Sequence, residues 1–201
     1  MSIITDFSWF PDNIPARVRQ IQADTQAMGF PYASDDMTGA LLRTLVAGKP
    51  GGQFLELGTG TGLATAWMLE GMDLTSQLTT IETDAEVLGI ARKNLGGDTR
   101  VRFVNEDGGA WLRQPRYERY DLIFADAWPG KYSHLEESLG LLKRGGLYVI
   151  DDMLPQPNWP AGHDLKVAAL MAELRARPCL ALTTMQWSTG LVIAARVSET
   201  L

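Results

Sequence analysis

The chain has 201 residues, 45% of them hydrophobic and 21% charged, the composition of one ordinary globular domain with a sizeable buried core. Its net charge of −6 supplies no basic field for a polyanion, so nucleic acid is excluded as a main partner and small molecules are favoured. A single cysteine, Cys179, leaves no internal disulfide. No stretch approaches the roughly 18 apolar residues that span a bilayer, and the start lacks an export-signal pattern, so a cytoplasmic chain without membrane contact is expected.

Residues 13 to about 28 carry Ile14, Val18, Ile21, Thr25 and Met28 at helical spacing, with Pro15 tolerated in the first turn. This amphipathic helix offers an apolar face that would suit a homodimer surface. A second helix follows Asp36, with Met37, Leu41 and Leu45 on one face, and stops before Gly48-Lys49-Pro50-Gly51-Gly52. Residues 1–47 therefore read as a helical extension and 48–201 as an α/β core within a single domain.

In that core, apolar runs near 53–58, 78–83, 101–106, 120–126 and 146–151 alternate with helical patterns near 62–71, 84–95, 108–114, 131–143 and 163–177. The alternation predicts βαβ units and a mainly parallel sheet with helices on both faces. Leu180 to Trp187 and Leu191 to Val197 flank the turn cluster Ser188-Thr189-Gly190, a terminal hairpin that adds one antiparallel strand.

The first core strand runs through Glu56 into Gly58-x-Gly60-x-Gly62 and a helix, a glycine turn that lets backbone amides approach a ligand. Leu63 occupies the place where a dinucleotide fingerprint needs its third glycine, so an NAD-type site is disfavoured. The second strand ends in Glu82, suited to a pair of ribose hydroxyls, and the third leads to Asp107. Taken singly, either acid also reads as a loop residue or a helix cap.

In this ordered set the chain resembles the Rossmann-like S-adenosylmethionine-dependent methyltransferases, in particular the small O-methyltransferases related to catechol and caffeoyl-CoA O-methyltransferase. The resemblance implies a doubly wound, seven-stranded sheet, mostly parallel with an antiparallel last strand. It also implies that Glu56, Gly58 and Gly60 surround the methionine part of the cofactor, that Glu82 with Thr83 holds the ribose, and that Asp107 and Gly108 face the adenine.

The fourth strand delivers Asp126 and the fifth Asp151 and Asp152. On neighbouring strands these carboxylates would repel one another and call for a cation, and oxygen ligands without cysteine favour Mg²⁺, Mn²⁺ or Ca²⁺. The alternative is Asp126 beside the cofactor and a loop-capping role for the pair. The resemblance supports the metal, since its metal-dependent members carry an Asp after the fourth strand and an Asp-Asn pair after the fifth; here the pair is Asp151-Asp152. Those enzymes usually place a lysine three residues after the first Asp, where this chain has Pro129. Lys131, two residues later, either reaches the same space as the proton acceptor or is an ordinary exposed lysine. The resemblance sets Trp128 beside the adenine. His163 is a second candidate base, although its place at a helix start favours a cap or an exposed position. The loop 154–163, the turn near Trp187, Trp9-Phe10 and Phe30-Pro31-Tyr32 are expected to wall a pocket for a planar acceptor.

The expected activity is metal-assisted O-methylation of a catechol-like or phenolic hydroxyl. Its rivals are a metal-independent N- or O-methyltransferase, a nucleotide-dependent oxidoreductase and a non-catalytic cofactor-binding protein.

Overall fold

The computed structural model describes residues 13–157 and 159–198. Trp9-Phe10 lie outside the described residues. Helices α1 (Ala16–Met28) and α2 (Asp36–Ala47) precede the sheet strands β1 (Gln53–Leu57), β2 (Gln77–Glu82), β3 (Val101–Asn105), β4 (Tyr120–Ala125), β5 (Leu142–Ile150), β6 (Leu180–Met185) and β7 (Leu191–Arg196). Between them lie α3 (Leu63–Gly71), α4 (Ala85–Leu95), α5 (Gly108–Arg113), α6 (Leu135–Gly140) and α7 (His163–Arg175). The strands form one seven-stranded sheet in the order β3-β2-β1-β4-β5-β7-β6, in which β7 alone runs antiparallel to its neighbours. The doubly wound sheet and reversed last strand expected from the sequence are both present.

The period-two alternation of strands assigns side chains to the two faces. Phe54, Leu122, Phe124 and Val149 join α1, α2 and α3 in one core, while Leu55, Leu57, Ile123 and Ile150 join α5, α6 and α7 in the other. Each large apolar side chain so buried contributes roughly 1.5–3 kcal/mol. On α1 the buried residues are Val18, Ile21 and Thr25, and the helix packs on α3 and α4. The apolar face expected to suit a dimer is thus spent inside the chain. Among the described residues no helix is long and apolar enough to cross a membrane.

One element is much shorter than its pattern. The helix expected over 131–143 is confined to Leu135–Gly140. Before it, the amides of Lys131, Tyr132 and Ser133 all donate to the Trp128 carbonyl, and Gly130 (φ +88°) and His134 (φ 55°) take left-handed conformations that no helix continues. After it, Leu142 already pairs with Tyr120 in the sheet.

The candidate active site at the carboxyl edge of the sheet

β1 pairs with β2 on one side and β4 on the other, so the chain reverses its direction of winding between β1 and β4. In open α/β sheets ligands bind at the strand ends beside such a point. There Gly58 (φ +99°), Gly60 (φ +54°) and Gly62 (φ +94°) turn the chain into α3. A Cβ on Gly58 would stand 2.6 Å from the Asp126 carbonyl oxygen, so only glycine lets the two strand ends approach this closely.

The Glu82 carboxylate accepts from the Gly60 amide at 3.0 Å and from the Asp84 amide at 3.0 Å, tying the end of β2 to the turn. A cavity of about 120 Å³ opens over the turn, lined by Phe30, Gly58, Gly60, Leu63, Glu82 and Asp126 among others. Glu56 departs from expectation. It lies beneath the turn, fully buried, with Oε2 accepting from the Thr65 and Thr80 hydroxyls and Oε1 unpartnered. Burial pushes its carboxyl up to about 7, against the two hydroxyl bonds. Asp107 is exposed, and its side chain caps α5 by accepting from Ala110 N at 2.7 Å, with Gly108 opening that helix. Thr83 is exposed, and its carbonyl accepts from the Asn105 side chain.

A second cavity of about 550 Å³ adjoins the first. Its acidic part carries Asp126, Asp151 and Asp152, and its aromatic part Trp128, Tyr132, Trp159 and His163; Pro31, Tyr32, Ser34, Lys131, Gln156 and Thr189 are among the other wall residues. Trp128 lines this cavity; it is 54% exposed and meets Tyr132 edge to face at 5.7 Å. His163 is neither a cap nor exposed. It is 7% exposed, Nε2 lies 3.1 Å from the Tyr132 hydroxyl, and Nδ1 has no partner. Burial, assisted by the Lys131 charge, lowers its pKa, favouring the neutral ring. Burial also lifts the Tyr132 hydroxyl to about 12.

Lys131 is the residue whose two readings the structure separates. Pro129 and Gly130 reshape the turn, and the Tyr148 hydroxyl clasps the Gly130 carbonyl at 2.6 Å. Lys131 is delivered inward, 6% exposed, with Nζ donating to the Asp151 carbonyl at 2.7 Å. Its charge works against the rise in the Asp126 and Asp151 carboxyls, which burial nevertheless pushes up, Asp126 well above the usual carboxylate range and Asp151 to about 6.

The three aspartates share this cavity but do not present a ready ligand set. Asp151 Oδ1 accepts from the Thr189 hydroxyl and from the Asp152 amide at 2.7 Å, and Asp126 Oδ2 accepts from Ser34 at 3.2 Å. Among the described residues no three His, Cys, Asp or Glu side chains gather as a group able to hold a metal ion. In this arrangement the donors do not fit a divalent ion. Ser34, Tyr132 and Thr189 were missed as site residues. Thr189 reads in sequence only as part of a turn, and Ser34 only as a residue before the Asp35 cap of α2.

Residues 55–153 match the family model of a methyltransferase domain. A Mycobacterium leprae protein bearing the name "Putative O-methyltransferase" is 32% identical over 144 residues, which cover 68% of this chain and 64% of the relative. The chain thus spans less than two thirds of the length of that relative. A likewise named Klebsiella pneumoniae protein of known crystal structure superimposes with a TM-score of 0.81 at 25% identity, covering 92% of each chain. The O-methyltransferase of Bacillus cereus, solved in complex with S-adenosylhomocysteine, shares the fold with a TM-score of 0.82 at 21% identity over 94% of each chain.

Proposed function

We propose, from the match of residues 55–153 to the family model of a methyltransferase domain, that this chain transfers a methyl group from S-adenosylmethionine to a hydroxyl oxygen of a small planar acceptor. The observation that carries the reading is the position of Asp126, which borders both the cavity over the glycine turn and the larger aromatic one. A group at that junction touches donor and acceptor at once.

On this reading Gly58 and Gly60 receive the methionine part of the donor, Glu82 and Thr83 the ribose, and Asp107 with Gly108 the adenine edge. The bound donor supplies an electrophilic methyl on a sulfonium sulfur. Trp128, Trp159 and His163 flank the acceptor ring, whose hydroxyl lies against Asp126 and Lys131. Asp126 accepts the hydroxyl proton; the oxygen forms the new bond to the methyl carbon while the carbon–sulfur bond breaks, its electron pair remaining on sulfur. Positioning of the two reactants and removal of the proton supply the rate. The divalent-ion route is not carried into this reading, because the aspartates do not form a fitting donor set.

The test is a calorimetric titration with S-adenosylhomocysteine, followed by a screen of catechols and phenols with labelled S-adenosylmethionine. Saturable binding and methyl transfer to oxygen are expected. Asp126→Asn should lower turnover by about 10²–10⁴-fold, the range for loss of a general base, while keeping product binding. Absence of S-adenosylhomocysteine binding would overturn the reading.

A further inference from the structure

Lys131 lines the cavity in which the sequence calls for a metal. We propose that its amine supplies the positive charge of the acid cluster in place of a divalent ion, so that the chain works without metal. The proposal rests on the reading of the larger cavity as the acceptor site.

Three observations carry it. Lysine is almost never buried unless its charge is satisfied; Lys131 is 6% exposed, donates to the Asp151 backbone carbonyl at 2.7 Å and lines the same cavity as Asp126, Asp151 and Asp152. It is also held there by construction. A Cβ at Gly130 would come within 2.5 Å of Leu57 Cδ1 and 2.9 Å of the Tyr148 hydroxyl, and that hydroxyl donates to the Gly130 carbonyl, so the turn that carries Lys131 is packed closely against the sheet. Finally, the carboxylate that a metal would need most is already engaged: Asp151 Oδ1 serves Thr189 and the Asp152 amide, while Lys131 Nζ holds the Asp151 carbonyl at 2.7 Å. A dication entering this space would face a like charge and, at Asp151 Oδ1, an oxygen that already accepts two hydrogen bonds.

In the transfer step Lys131 keeps its protons. It donates to the acceptor oxygen as that oxygen loses its proton to Asp126, and it stabilises the developing negative charge until the carbon–oxygen bond has formed. Its role is that of a preorganised donor aimed at charge that appears in the transition state. It is not the proton acceptor.

The experiment is a Mn²⁺ titration followed by electron paramagnetic resonance, on EDTA-treated wild-type protein, Lys131→Met, Lys131→Gln and Lys131→Arg. Thermal melts establish that each variant is folded, and S-adenosylhomocysteine calorimetry runs on the same samples. The expected result is no saturable Mn²⁺ site in the wild type or Lys131→Arg, and one saturable site in a folded neutral variant. A site in the wild type that Asp152→Asn abolishes, or the absence of a site in every folded variant, overturns the proposal. Failure of S-adenosylhomocysteine binding would instead overturn the methyltransferase reading and leave the Mn²⁺ result to be judged separately.

Discussion

The two cavities at the carboxyl edge of the sheet are built by opposite means. The one over the glycine turn is made chiefly of backbone: three glycines with positive φ, a carboxylate clamp between Glu82 and the Gly60 amide, and an approach to Asp126 that tolerates no Cβ. The larger one is made of side chains sent from separate loops, among them Lys131 and Tyr132 after β4, His163 at the start of α7 and Thr189 in the terminal hairpin, with Tyr32 and Ser34 before α2 bordering both cavities. A backbone-built site depends on conformations that few residues adopt, so it is rigid and sharply sensitive to substitution. A site built from side chains is sensitive mainly to charge and hydrogen bonding.

The largest test of that contrast is beneath the glycine turn, where Glu56 is a side chain buried inside the backbone-built half. Its carboxyl is raised to about 7 from an ordinary 4.5. Between these values the folded chain holds a proton that the unfolded chain releases. The stability this contributes is fully present below pH 4.5 and is lost as pH rises through 7, by on the order of 3 kcal/mol. In Glu56→Gln that slope should vanish. Urea midpoints at pH 5 and pH 8 should therefore fall further apart in the wild type than in the variant. Equal separations would mean that Glu56 is not held protonated by its burial.

Gly58→Ala should cost about 1–3 kcal/mol of stability, the price of a side chain at a strained backbone position, because its φ is +99° and its Cβ would press on the Asp126 carbonyl. The same change should weaken S-adenosylhomocysteine binding, since the amides of the turn must move with it. Retention of both wild-type midpoint and affinity would show that the turn is softer than its geometry implies.

The contrast also accounts for what could be read in the sequence. The alternation of strands and helices, the terminal hairpin and the glycine turn were legible because they depend on local signals: apolar alternation, helical spacing and glycines at fixed intervals. Glu82 and Asp126 were legible because each ends a strand. The loop 154–163, the terminal hairpin turn and Pro31-Tyr32, expected from the sequence to wall a pocket, do line the larger cavity, but the bonds made inside it were not legible. Asp126 and Ser34 are 92 residues apart, and Thr189 and Asp151 are 38 apart. No local pattern announces that they meet. Lys131 was ambiguous for a related reason, since a helix over 131–143 would have set its side chain by helical periodicity, and the irregular turn at Gly130 set it differently. His163 reads as a cap only if the proline-rich loop before it leaves it open, whereas Trp159 of that loop lies against its ring, with centroids 4.6 Å apart. For Glu56 the resemblance implied a place beside the cofactor, whereas its side chain lies on the face of β1 covered by α3, where the Thr65 hydroxyl donates to it.

The smallest effect belongs to Tyr132, at the centre of the aromatic wall. Its hydroxyl lies 3.1 Å from His163 Nε2 and His163 Nδ1 has no partner, so this bond adds to the ring contacts with Trp159 and Tyr132 that hold the imidazole in the wall. Tyr132→Phe keeps the edge contacts to Trp128 and His163 and removes only the hydroxyl. The net loss for one such bond is about 1 kcal/mol, a shift of roughly 2–4 °C in Tm for a chain of this size. S-adenosylhomocysteine affinity should stay unchanged, because Tyr132 borders the larger cavity and not the one over the glycine turn. The KM for the acceptor should rise by about fivefold, the same free energy expressed at the acceptor wall. An equal loss of affinity for S-adenosylhomocysteine would mean that the two halves share one structural unit, and the division between a backbone-built donor side and a side-chain-built acceptor side would not stand.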